Sequence, residues 1–204
     1  MQPAQKDEYV RILDFLPKGK SEMPPHKRKP VAQAVGETHY SLLEIIPKDN
    51  VSLASGERVY IGEGSRDKVD HIERRIKYEW LTPTAKDELP EIVKGIVISR
   101  EAEYVHFYNT SGSISTRQHK LECLPKIGRS HRQDILEQRE ITPFNSFEDM
   151  MTRDKIVDNA DGTQKKIRIG IPDPARVIVD KIIEELKGES KYYLFTPADV
   201  RDKV

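Results

Sequence analysis

Short apolar runs separated by turn residues fill the first 81 positions of the chain. The run Tyr9–Leu16 has the length of a strand and ends at a Pro-Lys-Gly turn. Further apolar and β-branched segments follow at Ala32–Ile46 and Arg58–Ile61. From Ile72 to Trp80 the large side chains fall at every second position, a period typical of a strand with one buried face. Several short strands of this kind predict a small OB-like or SH3-like β-barrel over residues 1–81.

The pattern becomes helical over residues 82–153. Thr82-Pro83 supplies a cap and a first-turn proline for a helix, which Pro90 is expected to interrupt and restart. Ser115-Thr116-Arg117-Gln118 matches a capping box, and Ser146 opens a similar helix start. We therefore expect a helical domain here. Its first apolar stripe consists of Ile92, Val93, Ile96 and Val97.

The last segment, residues 154–204, has a mixed pattern. Asp161-Gly162 predicts a turn, and Lys166–Ile169 alternates as a strand does. A helix that begins at Asp173-Pro174 is expected to end at Gly188, and Lys191–Phe195 predicts a last strand. The predicted fold class is therefore α+β, with this segment packing back on the body of the protein.

The composition narrows the class of protein. Of the 204 residues, 36% are hydrophobic and 33% are charged, whereas globular chains usually have roughly 45–50% and about 25%. No apolar stretch approaches the ~18–20 residues of a membrane helix, and the first residues lack the apolar region of a signal peptide. The single Cys123 excludes an intrachain disulfide and a four-cysteine zinc site. We expect a soluble, cytoplasmic protein that makes no membrane contact.

The charge is balanced overall but not along the chain. Lysine and arginine together number 34, as do aspartate and glutamate. Two windows nevertheless each hold five basic residues against a single glutamate, one from Lys18 to Lys29 and the other from Arg117 to Arg132. A local positive patch can steer a polyanion to one face, although such a window is also typical of a solvated surface.

The second window contains a candidate hairpin between two helices, within residues 121–139. Pro125 is expected to end the first helix, and Gly128 to permit a close backbone approach or a positive φ. Leu124 and Ile127 are expected to pack the two helices together. Backbone N–H groups at the start of the second helix, together with its dipole, would then form an anion site beside Arg129 and Arg132.

This segment resembles the helix-hairpin-helix motif of DNA repair and processing proteins, whose pattern is Leu-Pro-Gly-Ile-Gly followed by a helix. Here the pattern is Leu124-Pro125-Lys126-Ile127-Gly128, so Lys126 stands where that family has its first glycine. The resemblance implies a phosphate contact that is less close and more dependent on charge. A purely structural hairpin is the alternative interpretation.

Several short segments spread along the chain form a recognisable set. They are Leu124-Pro125 with Ile127-Gly128, Pro143-Phe144 with Ser146-Phe147-Glu148-Asp149, Asp173-Pro174 with Ile182-Ile183-Glu184-Glu185-Leu186, and Lys191-Tyr192-Tyr193-Leu194-Phe195. Through them the chain resembles, over most of its length, an uncharacterised archaeal family of predicted RNA-binding proteins, which have a small OB-like barrel joined to a helix-hairpin-helix region. The resemblance implies an archaeal origin and a role near RNA or translation, and it supplies no established activity.

Other chemistries are poorly supported. Gly62-Glu63-Gly64 lacks the third glycine of a dinucleotide site. His119 and Cys123 would share a helix face, but even with His131 they are better interpreted as a surface histidine pair beside a buried cysteine. No spacing marks the carboxylates, such as Asp149 and Asp154, as ligands of a two-metal nuclease. We expect no catalysis, no metal and no cofactor.

The sequence thus favours a non-catalytic nucleic-acid-binding protein, with RNA favoured over DNA. Tyr40, Tyr60 or Trp80 would stack on bases, unless they belong to the core. The alternative is a protein-interaction adaptor in a ribosomal, RNA-processing or repair assembly, and the oligomeric state stays open. The predicted phosphate contacts are Leu124, Pro125, Lys126, Ile127, Gly128, Arg129 and Arg132 in the hairpin, and Lys18, Lys20, Lys27, Arg28 and Lys29 in a loop at the barrel rim.

Overall fold

The computed structural model describes residues 6–158, 163–169, 171 and 173–197. The chain divides into two compact units, one formed by residues 1–93 with 182–204 and the other by residues 94–181. The residues from Ile182 onward belong to the unit that contains the first strands.

A curled, five-stranded antiparallel sheet forms a half-barrel in the first unit. The barrel-like α+β architecture predicted from the sequence is confirmed at this level. The strands lie in the order β4-β1-β2-β3-β5. Their bounds are β1 Tyr9–Leu16, β2 Val31–Gly36, β3 Leu42–Pro47, β4 Arg58–Tyr60 and β5 Val69–Arg75.

The core of this sheet comes from its central strands. All six residues of β2 are buried, including the polar Gln33. In the antiparallel β1–β2 pair, Val10 lies opposite Gly36 and Leu16 lies opposite Val31. The apolar segments of the two strands therefore lie side by side. The buried apolar cluster consists of Val10, Ile12, Ala32, Ala34, Leu43, Ile45, Leu53, Val59, Ile61 and Val69.

The strand predicted to continue through Trp80 is wrong in its second half. Strand β5 ends at Arg75, and Tyr78–Trp80 forms a 3-10 turn. Ile72 is exposed, because β5 is an edge strand of the described sheet and buries only its first residue. Trp80, in the 3-10 turn, is exposed as well.

The described residues also form five α-helices. They are α1 Pro83–Ser99, α2 Glu101–Thr110, α3 Arg129–Ile141, α4 Phe147–Thr152 and α5 Pro174–Leu186. The predicted interruption at Pro90 is wrong, because α1 continues through this residue. Leu89, Val93 and Val97 are fully buried on one stripe, and this packing outweighs the hydrogen bond that a proline cannot donate.

Two short hairpins belong to the second unit. Strands β6 Ser113–Ser115 and β7 Gln118–His119 pair with each other, as do β8 Asp154–Asp158 and β9 Gln164–Arg168. The capping box expected at Ser115–Gln118 is therefore wrong, whereas the strand predicted near Lys166 and the helix start at Ser146 are confirmed. The predicted turn at Asp161-Gly162 lies outside the described residues.

The last predicted strand is also wrong. Lys191–Phe195 has no strand structure. The backbone N–H groups of Leu194 and Phe195 donate to the buried carboxylate of Glu185, over 2.6 and 3.0 Å, so their hydrogen bonds go to a side chain and not to a neighbouring strand. In the described ranges, no helix combines the length and the apolar character needed to cross a bilayer.

Candidate nucleic-acid interface

The predicted hairpin folds as a tight turn in front of α3. A 3-10 turn, Lys120–Cys123, replaces the first predicted helix, because the β6–β7 hairpin occupies the residues just before it. His119 caps this turn: its Nδ1 accepts from the backbone of Leu121 at 3.1 Å, while Glu122 Oε2 accepts from the backbone of His119 at 3.3 Å. The turn is fixed from below by Leu124 and Ile127, both buried.

The positive φ falls on Lys126 and not on Gly128. Lys126 has φ 64°, the left-handed region that favours glycine, at the position where the Leu-Pro-Gly-Ile-Gly pattern has glycine. Gly128 is extended, with φ −91° and ψ −175°. A Cβ added to Gly128 would find no atom within 4 Å. The expectation of a positive φ at Gly128 is therefore wrong, and the backbone there borders open space.

The start of α3 is open to a ligand. Gly128 is the N-cap and supplies no side-chain acceptor. The Arg132 N–H donates to the Gly128 carbonyl at 3.0 Å, whereas the N–H groups of the preceding turn have no acceptor within the helix. These groups carry the positive end of the helix dipole.

Three arginines line a cleft of about 540 Å³ around this helix start. We call it the arginine cleft. Arg117 and Arg129 are exposed, and Arg132 donates to Glu122 at 3.0 Å. The Nε of Arg132 is buried and has no hydrogen-bond partner among the described atoms, so an anion would satisfy it. The lining residues are Arg117, Gln118, Glu122, Ile127, Gly128, Arg129 and Arg132.

The pKa of His119 is affected by the positive charges of this region. Burial lowers the pKa of His119, and the charges of Arg139 and Arg132 lower this pKa further. A neutral imidazole agrees with the role of Nδ1 as an acceptor. The expected surface histidine pair beside a buried cysteine is wrong, because His119 is buried and Cys123 is only partly covered. No cluster of three metal-ligating side chains occurs within the described ranges.

The predicted cations of the hairpin are used in different ways. Lys126 Nζ lies 3.0 Å from Asp180 Oδ2 on α5, so its charge is shared with a carboxylate. Arg129 stays exposed beside Gly128 in the arginine cleft. Sequence reasoning did not include Arg117 and Gln118 among the site residues. The signal for Arg117 was its place in the second basic window.

The basic loop belongs to the first unit, and two of its cations serve the fold. Lys20 forms an ion pair with the buried Glu44. Arg28 donates from Nε to the carbonyl of Met23 at 2.7 Å and from Nη2 to that of Ser21 at 2.9 Å. Lys18 and Lys29 are exposed, and the side chain of Lys27 lies outside the described part of the structure.

The three candidate stacking aromatics differ in exposure. Tyr40 is buried, and Tyr60 packs edge-on against Tyr9 with its ring centroid 5.2 Å away. Trp80 is 53% exposed, with the guanidinium of Arg74 lying 5.3 Å from its ring centroid. Of the three, Trp80 presents the largest ring surface to solvent.

Asp149 and Asp154, the acidic residues of the nuclease alternative, both have arginine partners. Asp149 Oδ1 accepts from Arg153 Nε at 3.0 Å, and this hydrogen bond lowers the pKa of Asp149. Asp154 Oδ1 lies 3.3 Å from Arg168 Nε. Both side chains therefore contribute to ion pairs that hold α4 and the β8–β9 hairpin.

The chain has relatives over almost its whole length. The family model described as "Protein of unknown function (DUF655)" matches residues 6–197. An uncharacterised protein of Methanocaldococcus jannaschii, MJ0038, is 42% identical over 195 residues, which are 95% of this chain and 81% of that protein. The crystal structure of Af1531 from Archaeoglobus fulgidus is 42% identical, with a TM-score of 0.80 over 94% of this chain and 100% of that chain. The chain therefore belongs to the DUF655 family of proteins of unknown function.

Proposed function

We propose that this protein is a non-catalytic nucleic-acid-binding protein that holds the phosphate backbone in the arginine cleft. One observation carries the proposal: Arg117, Arg129 and Arg132 line a single cleft at the uncapped start of α3. The buried Nε of Arg132, which has no described partner, adds a donor that an anion would satisfy.

The residues of the turn have different roles in the proposed phosphate contact. Leu124 and Ile127 are buried and hold the turn in place. Gly128 lets a phosphate approach the backbone, since the space in front of it is open. Arg129 supplies exposed charge, and Lys126 supplies less because Asp180 shares its charge. Lys126 stands where the pattern has glycine, and the closer phosphate contact that glycine would allow is replaced by the charges of Arg117 and Arg129 on either side of the turn.

Contacts of this kind read the backbone and not the bases, so binding is expected to depend little on sequence. The preference for RNA over DNA rests on the resemblance to predicted RNA-binding proteins. Lys18 and Lys29, the exposed lysines of the basic loop, would add weaker contacts.

Gly128→Val tests the proposal at its centre. The extended backbone of Gly128 accepts a side chain, so the fold is retained, but the new methyl groups occupy the phosphate position. We expect affinity for a short single-stranded RNA to fall about tenfold, the worth of a charge-assisted hydrogen bond. The assay is filter binding at about 0.1 M salt, where the Debye length is ~10 Å.

Gly112→Val is the matched control, because its Cβ also enters open space within the second unit. It should bind RNA as the unmodified protein does. Equal affinity for the folded Gly128→Val protein and its control would remove the arginine cleft from the binding surface.

We also propose that the protein does not cleave its ligand. The ion pairs of Asp149 with Arg153 and of Asp154 with Arg168 support structural roles for these acids. Labelled RNA and DNA incubated with the protein and magnesium or manganese should stay intact. Metal-dependent cleavage that is lost in Asp149→Asn or Asp154→Asn would establish a nuclease instead.

A protein-interaction adaptor is the second candidate, favoured by apolar side chains exposed in the second unit. Ile141 is 75% exposed, Ile156 is 64% exposed, and Ile114, Met151 and Ile167 are exposed to a smaller extent. Exposed apolar residues mark an interaction site where they form one contiguous patch. Salt separates the two functions, because phosphate binding weakens steeply with salt and apolar docking does not.

A further inference from the structure

The first unit contains a cavity of its own, with a volume of about 190 Å³. The cavity opens between the start of β3, the end of β5 and the residues that follow α5. It is lined by residues 40–42, 75–79 and 185–188, and by Tyr193, Thr196 and Pro197. None of these residues lines the arginine cleft.

One wall of the cavity has a hydroxyl group that lacks a partner. Ser41 is only 6% exposed, and its Oγ has no hydrogen-bond partner among the described atoms. A buried hydroxyl without a partner is costly, so a ligand that donates to this oxygen or accepts from it would stabilise the site. Ser41 itself lines the cavity.

The other walls combine tyrosine rings with cations. Tyr40, Tyr78 and Tyr193 all line the cavity. The ammonium groups of Lys86 and Lys187 each lie 5.5 Å from the centroid of the Tyr78 ring. Lys187 also lines the cavity, as does Lys77. These groups suit a flat ring that carries a negative substituent.

Two acidic residues, Glu79 and Glu185, also line the cavity, and Glu185 is already engaged in the fold. Its carboxylate accepts the N–H groups of Leu194, Phe195 and Thr196 over 2.6, 3.0 and 2.9 Å. These bonds fix the segment that carries Tyr193, and they leave the carboxylate occupied. Glu185 is therefore a positioning residue for the cavity wall and not a partner for a ligand.

The volume limits the ligand to a small one. An apolar cavity of about 150 Å³ takes up benzene, whereas sites for larger molecules measure about 300–1,000 Å³. We propose that this cavity binds the base of a nucleotide whose phosphate lies beside Lys187. The ring contacts Tyr78 and Tyr193, and a polar atom of its edge bonds to Ser41 Oγ. The site goes beyond the proposed function, with which it shares only the chemical class of the ligand.

Two sources could supply such a group, a free nucleotide or an unpaired nucleotide of a strand. Equilibrium dialysis with each of the four labelled ribonucleoside 5′-monophosphates tests the first. A labelled single-stranded RNA tests the second, in an Arg117→Gln/Arg129→Gln background that weakens binding in the arginine cleft. Saturable binding in either arm that Ser41→Ala weakens supports the cavity and identifies the source.

Two variants assign the binding to this cavity. Tyr78→Leu removes the ring contact and should weaken binding about tenfold, and Ser41→Ala should weaken it about fivefold by removing one hydrogen bond. Phe15→Leu is the control, since this aromatic residue of the first unit lines a different cleft. It should bind the same probe unchanged.

The proposal is overturned if neither arm shows saturable binding, or if Ser41→Ala and Tyr78→Leu bind as tightly as the unmodified protein. Should Tyr78→Leu fail to fold, Ser41→Ala alone decides, because it removes only the hydroxyl of a residue that precedes β3. A failure here leaves the arginine cleft intact, since the Gly128 experiment reports on separate residues.

Discussion

The two basic windows of the chain have the same formal charge, and the structure uses them differently. In the loop of the first unit, Lys20 forms an ion pair with the buried Glu44. Arg28 donates hydrogen bonds to backbone carbonyl groups of the same loop. In the second window Lys126 and Arg132 are also paired, with Asp180 and Glu122. There, however, Arg117, Arg129 and Arg132 line one cleft at the start of a helix. The value of a cation for ligand binding thus depends on the acceptors within its reach, and a charge count along the sequence does not reveal them.

The largest effect expected from this comparison is on stability, at Lys20. Burial alone would raise the pKa of Glu44, but hydrogen bonds from Lys20, Arg74 and Gln33 hold this pKa below its usual value. Lys20→Met should lower the free energy of unfolding by about 2 kcal/mol, less than for a fully buried pair because Arg74 and Gln33 remain. Urea denaturation at pH 7 measures the change, with Lys18→Met as the exposed control.

The pH dependence of stability sharpens this prediction. A carboxyl whose folded pKa is lowered binds fewer protons in the folded state, so its contribution is present above the unfolded pKa and is lost as the pH falls through the folded pKa. In Lys20→Met the folded pKa of Glu44 should move upward, and the acid-induced loss from this group should shrink. If Lys20→Met changes neither the free energy of unfolding nor its dependence on pH, Lys20 does not stabilise the fold through Glu44.

A smaller effect is expected from the exposed lysines of the basic loop. Lys18→Gln/Lys29→Gln should reduce RNA affinity about twofold to threefold and lower the salt slope by at most about one unit. Stability should stay within about 0.5 kcal/mol of the original, as for other surface changes. If this variant loses more affinity than one altered in the arginine cleft, the main phosphate contact lies in the loop.

Much of the fold could be predicted where one local signal acts alone. Strand β1 has the predicted bounds, Tyr9–Leu16, and α5 starts at the expected Pro174 and is followed by Gly188 in the left-handed region. Ser146 caps α4 as its sequence indicates, by accepting from Asp149 N at 3.0 Å. Such signals depend on neighbours within a few residues, so they are visible in the sequence.

The failures have long-range causes. Pro90 stays within α1 because of side chains that pack on either side of it, and Lys191–Phe195 gives its N–H groups to Glu185. The hairpin turn was located from its pattern. Its details were not, because the left-handed residue proved to be Lys126 and the cleft also included Arg117. Only the folded chain shows which arginines meet at one helix start.

Arg117 and Arg129 are the residues proposed to bind phosphates in the arginine cleft. The most direct measurement is the slope of log K against log salt for single-stranded RNA, between about 0.05 and 0.2 M salt. Arg117→Gln/Arg129→Gln should lower the slope by about 1.4 units, two single-strand phosphate contacts, with stability unchanged. Arg168→Gln, an exposed arginine of β9 in the same unit, should leave the slope as it was. An unchanged slope in the double variant, or an equal loss in Arg168→Gln, would contradict the account.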